Sequence, residues 1–164
     1  MTRRKFSLAA LTASLGLTTG VATRAYAGAR KESFAMTKTD PEWKNLLTSQ
    51  QYYVLRDHGT ERAGTSPLDK IYTAGTYACA GCGQSVFTSE TKFDSGTGWP
   101  SFYAPIDKAI ATTTDRSIFM TRTEVHCANC GGHLGHVFDD GPKPTGKRYC
   151  MNGIAMTFTP KTPS

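Results

Sequence analysis

Apolar and polar positions follow three regimes along the chain. An uncharged, mildly apolar run occupies 9–23, apolar residues recur at helical spacing between 39 and 58, and beyond 60 they fall into short runs separated by Gly, Pro, Ser and Thr. In the middle regime, Thr39-Asp40-Pro41-Glu42 has the form of a helix start, an oxygen-bearing cap with Pro in the first turn. Trp43, Leu46 and Leu47 follow at i, i+3, i+4 and predict a short amphipathic helix. A second start at Thr48 or Ser49 leads through Tyr52, Tyr53, Val54 and Leu55 to a stop near His58-Gly59. Past residue 60 no helical period lasts more than a turn, and strand-like runs are predicted at 71–79, 85–87, 106–110, 117–127, 136–138 and 149–158. The pattern predicts a mainly β chain, with antiparallel sheets of short strands behind two small N-terminal helices.

The first regime reads as an export signal and not as part of the fold. Basic Arg3, Arg4 and Lys5 precede the apolar run, and Ala25 and Ala27 supply small residues at the two positions a signal peptidase reads. The paired arginines with Phe6 two places on, the dilution of the run by Thr, Ser and Gly, and Arg24 beside the cleavage point resemble a twin-arginine signal. A membrane anchor would want about 18 or more strongly apolar residues. The run is short and Thr-rich, so no stable membrane association is expected after cleavage. The expected organisation is a signal over 1–27, a flexible leader over 28–38, one domain over 39–160 and a tail over 161–164, with a periplasmic location. Removing the signal takes away Arg3, Arg4, Lys5 and Arg24 and no acid, so the formal charge falls from +6 to +2. The basicity is largely the signal's, and no case for nucleic acid as a partner survives.

The cysteines carry the chemistry. Cys79-Ala80-Gly81-Cys82-Gly83 and Cys127-Ala128-Asn129-Cys130-Gly131 repeat one design, in which thiolates two residues apart reach a single tetrahedral ion and the following Gly lets the chain turn. About forty-four residues lie between the pairs, so an ion held by all four would join distant strands. Disulfides and a redox-active Cys-x-x-Cys are the competing readings. Neither pair opens a helix of a βαβ unit, as redox pairs usually do. The expectation is one structural zinc on Cys79, Cys82, Cys127 and Cys130, with no coordination position left for a substrate.

That partition leaves Cys150 as the one sulfur free for reaction. Taken as a strand, Arg148-Tyr149-Cys150-Met151-Asn152 puts Arg148, Cys150 and Asn152 on one face, where the cation favours the thiolate and the amide can donate to an oxygen near the sulfur. The alternative is a small buried thiol. His133 and His136 flank Gly135 and are read as proton-donating and oxygen-binding groups, with a structural pair as the alternative; Asp140 is placed to orient His136. The run from Asp94 to Phe102 is a rigid Gly- and Pro-bearing loop that carries Trp99 and Phe102, either as an apolar wall for a substrate or as a cap on the core.

Together, Gly98-Trp99-Pro100-Ser101-Phe102, His133-Leu134-Gly135-His136-Val137-Phe138, Arg148-Tyr149-Cys150-Met151-Asn152 and the two cysteine knuckles resemble the methionine-R-sulfoxide reductase family, B type, over about residues 43–158. The resemblance implies a β-tent of the Mss4-like kind, two antiparallel sheets with a structural zinc at one end. It implies thiol-dependent reduction of peptide-bound methionine-R-sulfoxide, with oxidised proteins as substrates and an external thiol as reductant. It assigns Cys150 as nucleophile, Trp99 as the wall for the substrate methyl group, His133, His136 and Asn152 to the sulfoxide oxygen, and Arg148 and Asp140 to support. Many members of the family carry a resolving cysteine where this chain has Thr97, so a one-cysteine cycle through a sulfenic acid is expected. Two other readings stand beside it. A non-catalytic zinc-stabilised binding module leaves Cys150, Arg148 and the histidines without a role, and a one-cysteine peroxidase does not explain Trp99 or the zinc.

Overall fold

The computed structural model describes residues 33–117 and 120–162. The signal over 1–27 and the first part of the leader lie outside them. Two helices come first, α1 (Asp40–Leu46) and α2 (Ser49–Leu55), each opened by a threonine in a capping box, Thr39 with Glu42 and Thr48 with Gln51. Trp43 and Leu47 are buried as the helical spacing predicts, but Leu46 is 54% exposed because α1 ends there after two turns. The second helix stops short of His58, whose positive φ of 56° turns the chain out of the helix.

Nine strands follow among the described residues: β1 (Gly75–Cys79), β2 (Ser85–Thr88), β3 (Lys92–Phe93), β4 (Ser101–Phe102), β5 (Ile110–Asp115), β6 (Arg122–Cys127), β7 (His133–Phe138), β8 (Arg148–Met151) and β9 (Met156–Pro160). They form two antiparallel sheets, one in the order β2-β1-β9 and the other β3-β4-β8-β7-β6-β5. The predicted run over 149–158 is two strands in different sheets. A 3-10 turn at Gly153–Ala155 carries the chain across between them. Most of the run over 106–110 is loop; β5 begins only at Ile110. Apolar alternation cannot see a crossing of this kind, because both halves keep a buried face.

The core lies between the sheets and under α2, which packs on β7 and on the 3-10 turn. Tyr77, Val86, Phe87, Phe102, Leu134 and Met151 are fully buried there. Phe87 stacks on Phe102 with ring centroids 4.3 Å apart, and Tyr77 meets Phe102 edge-on at 5.0 Å. No helix among the described residues is long and apolar enough to cross a membrane. The described end of the leader, 33–38, makes contacts with the second knuckle. Met36 donates its N–H to the Asn129 carbonyl at 2.9 Å, and the Phe34 ring sits edge-on to His126 and covers Gly131. Two apolar side chains in a polar stretch suffice for this, since the second knuckle offers them a surface to bury.

Candidate active site and metal centre

Both knuckles are built alike. Gly83 and Gly131 have positive φ, 75° and 68°, and donate their N–H groups to the carbonyls of Cys79 and Cys127 at 2.8 and 2.9 Å. The result is that Cys79 and Cys130 lie 3.7 Å apart at sulfur, Cys82 and Cys127 3.5 Å apart, and all four sulfurs fall within 4.8 Å of one another. These separations exceed a disulfide bond, about 2.05 Å. They suit four thiolates at about 2.3 Å from a common tetrahedral ion. Cys79 ends β1 in one sheet and Cys127 ends β6 in the other, so a metal ion held here ties the two sheets together.

Cys150 is the fifth sulfur and lies apart from this centre. On β8 it pairs with Ser101 of β4 on one side and His136 of β7 on the other. A cavity of about 120 Å³ opens beside it, lined by Thr60, Trp99, Arg122, Gly135, His136, Phe138, Cys150 and Asn152. Gly135 is required in that wall, because a Cβ there would collide with the Cys150 carbonyl oxygen. Behind the sulfur, Thr97 Oγ1 lies 3.8 Å away and bonds to Ser95, which bonds to Ser101.

Arg148 approaches from the neighbouring cleft between Thr97 and Asp140 and does not line the cavity itself. Asp140 grips it with two bonds, to Nε at 2.9 Å and Nη2 at 2.8 Å. The expectation that Asp140 orients His136 is therefore corrected: Asp140 serves Arg148. The carboxylate that meets His136 is Asp115, Oδ2 to Nε2 at 2.8 Å, and it also pairs with Arg122 at 2.6 Å. The pull of Arg148 towards the Cys150 thiolate is present but outweighed. Burial pushes the thiol up, and Thr97, Arg148 and Ser101 only partly offset it, so the resting sulfur keeps its proton near neutral pH.

The two histidines meet by a route the sequence did not show. Residues three apart in a regular strand face opposite ways. Opposite Val125 and His126, however, β7 holds an extra residue at Leu134, a β-bulge that brings the His133 and His136 rings to 5.3 Å, edge to face. His133 is 1% exposed and sits behind His136, outside the cavity lining, with Nδ1 on Glu124 at 2.8 Å. The same Glu124 oxygen takes Nδ1 of the exposed His58 at 2.9 Å.

Burial lowers the His136 pKa against the opposing pull of Asp115, whereas the bond to Glu124 raises that of His58. In a proton NMR titration His136 is expected to titrate below the ordinary histidine value of about 6.5 and His58 above it. Glu124→Gln should bring His58 back down and leave His136 near its place; a His58 that does not move would refute the pairing.

Phe102 is not a substrate wall. Successive residues of β4 face opposite ways, so Ser101 points towards the Cys150 side while Phe102 is fully buried against Phe87 and Tyr77. Trp99 does line the cavity, its indole N–H donating to the Glu61 carbonyl at 3.1 Å. Asn152, 3% exposed, lines it too, from just past the end of β8. Sequence reasoning missed Thr60, Glu61, Asp115, Arg122 and Glu124. None stands in a motif, and each reaches the site from a distant strand or loop.

A metal-ready four-thiol brace across two sheets, with one spare thiol opening onto a cavity between an indole and an amide, defines a metal-braced thiol oxidoreductase. Sequence comparison makes this particular. The SelR domain profile matches residues 47–160. The peptide methionine sulfoxide reductase MsrB of Agrobacterium fabrum is 52% identical over 126 residues, covering 76% of this chain and 93% of that protein. Its counterpart in Methanosarcina barkeri is 54% identical over 125 residues, covering 76% and 88%. The chloroplastic B1 enzyme of Arabidopsis thaliana is 55% identical over 129 residues, covering 78% and 63%. The chain belongs to the MsrB family of peptide methionine sulfoxide reductases. Among solved structures, the Mis18 'Yippee-like' domain aligns with 56% of this chain and 100% of its own length, at 16% identity and a TM-score of 0.46.

Proposed function

We propose that Cys150 reduces peptide-bound methionine-R-sulfoxide by direct attack on the sulfoxide sulfur, in a one-cysteine cycle. The observation that carries this is the position of the only cysteine outside the metal centre, at a cavity with Trp99 and Asn152 in its lining. A cavity of about 120 Å³ takes the end of a side chain and not a whole peptide, so the substrate methionine enters from a protein surface.

The protonation states set the order of events. Cys150 starts as a thiol and His136 as a neutral imidazole, both lining the cavity, so the proton begins on sulfur and must finish on the sulfoxide oxygen. His136 accepts it as the thiolate attacks, becomes an imidazolium held by Asp115, and returns it to the departing oxygen. Attack joins the Cys150 sulfur to the substrate sulfur. The protonated oxygen then passes to Cys150 as the substrate S–O bond and the new S–S bond both break, the S–S pair returning to the thioether. Methionine leaves, and Cys150 holds the OH as a sulfenic acid. Two equivalents of an external thiol then restore Cys150, yielding a disulfide and water, since Thr97 stands beside the sulfur where a resolving thiol would be needed. Arg148 and Ser101 stabilise the thiolate in passing.

Zinc is the ion proposed for the four cysteines, because a closed tetrahedral thiolate set suits a metal without redox chemistry of its own. The substrates proposed are exported proteins, on the strength of the twin-arginine pattern over 1–27.

The test is a single turnover without reductant on each epimer of a blocked methionine sulfoxide, followed by mass analysis. The R form should yield one methionine per chain and one added oxygen on Cys150. Consumption of both epimers alike, or an intrachain disulfide that includes Cys150, would contradict the proposal.

A further inference from the structure

We infer that Glu61 is a positioning residue for this reaction, fixing which way the Asn152 amide points and how far it stands from the Trp99 wall. The inference rests on the function proposed above. Three attachments meet in this one residue. Its carboxylate accepts the backbone N–H groups of Gly153 and, at 3.0 Å, of Ile154. Its own N–H donates to Asn152 Oδ1 at 2.9 Å, and its carbonyl accepts the Trp99 indole N–H at 3.1 Å. One peptide segment thus holds both the side chain placed for the substrate methyl and the one placed for the oxygen, although Asn152 lies 91 residues away in sequence and Trp99 38.

The consequence for Asn152 is directional. Its amide oxygen is committed to the Glu61 N–H and its nitrogen donates to the Leu134 carbonyl at 3.1 Å. Turning the amide over would set donor against donor and oxygen against oxygen. The nitrogen's second N–H is thereby left for the cavity that Asn152 lines, which gives the site a donor for a sulfoxide oxygen. The epimers of methionine sulfoxide exchange methyl and oxygen about the sulfur. A wall and a donor held at fixed separation accept one of them and misplace the other.

The segment is clamped on both sides. Gly153 lies so close to Ser66 that any Cβ would collide with it, and would press on the Glu61 carboxylate at 3.3 Å. Gly64 donates to the Gly98 carbonyl at 2.7 Å, and Gly98, at φ 85°, is crowded by Ala63 and Gly64. The Glu61 carboxylate is the polar bolt of this clamp: it reaches the turn directly after Asn152 and touches neither Cys150 nor the metal centre.

The experiment compares wild type, Glu61→Gln and Glu61→Ala as metal-loaded proteins. It measures the single-turnover rate on each epimer of a blocked methionine sulfoxide, the rate of Cys150 alkylation by iodoacetamide, and the bound metal. Glu61→Ala should lose about tenfold or more of the R-epimer rate and a similar share of the R-over-S preference. Glu61→Gln, with one acceptor oxygen left, should fall between, while alkylation and metal content stay near wild type. An unchanged preference in Glu61→Ala would overturn the inference, as would a rate loss matched by equal losses of alkylation and metal, the signature of a merely structural role. A wild type inactive on the R form would instead overturn the function on which it rests.

Discussion

Cys150→Ser will abolish methionine sulfoxide reduction, by about a thousandfold or more, without changing bound metal or melting temperature. The size of the loss follows from what sulfur does here, which is to accept the oxygen as well as to attack. A serine hydroxyl could be activated by His136, but it has no accessible oxidation state in which to carry that oxygen away. Removing the group that forms the intermediate removes the reaction channel, as it does for other covalent nucleophiles. The fold should scarcely notice. Cys150 is half-buried at the edge of a cavity, outside the packed cluster around Phe87 and Phe102, and serine fits its space. Turnover, metal analysis and thermal melting of the same sample check the prediction together. Residual turnover above about one per cent of wild type would mean that another group receives the oxygen.

Loss of the four-cysteine metal will unfold the domain, and activity will disappear with it. A structural zinc site contributes about 10–16 kcal/mol in small peptides, against a net stability of about 5–15 kcal/mol for a typical domain. The fold cannot spare a term of that size, and the site's location raises the cost: Cys79 and Cys127 end strands of different sheets. Without the ion, four thiols at separations such as 3.5 and 3.7 Å crowd together with nothing to bond them, and the sheets lose the link at that end. Cys82→Ser or Cys130→Ser, or treatment with a strong chelator, should erase the near-ultraviolet circular dichroism of the buried aromatics and lower the melting temperature sharply. Readdition of zinc should restore both to the chelated wild type. A demetallated chain that kept its aromatic signal and its turnover would show that the ion is dispensable.

How far these features could be read in the chain differs by residue. The helix starts at Thr39 and Thr48 were legible because caps are local, decided by side chains within one turn of the backbone they satisfy. The knuckles were legible for the same reason: a Cys-x-x-Cys-Gly run specifies its own turn. Trp99 and Phe102 looked equivalent in sequence and are not, since a two-residue strand turned one neighbour of the loop into the core. Nearness in sequence points Asp140 at His136. In space it was claimed by Arg148, its partner across the turn between β7 and β8, leaving Asp115 to meet the imidazole.

By itself, then, the sequence determined the partition of its sulfurs, the mainly β character behind two capped helices, and the family, because each is written in residues that act on near neighbours or in motifs of fixed spacing. Only the tertiary structure decided who stands beside whom in the cavity. The bulge at Leu134 that brings two histidines together, the carboxylates of Asp115 and Glu124 behind them, the burial that keeps Cys150 protonated and the Glu61 clamp all depend on strand register and on loops that close over many residues. Register is set by the packing of whole faces, and no local pattern encodes it.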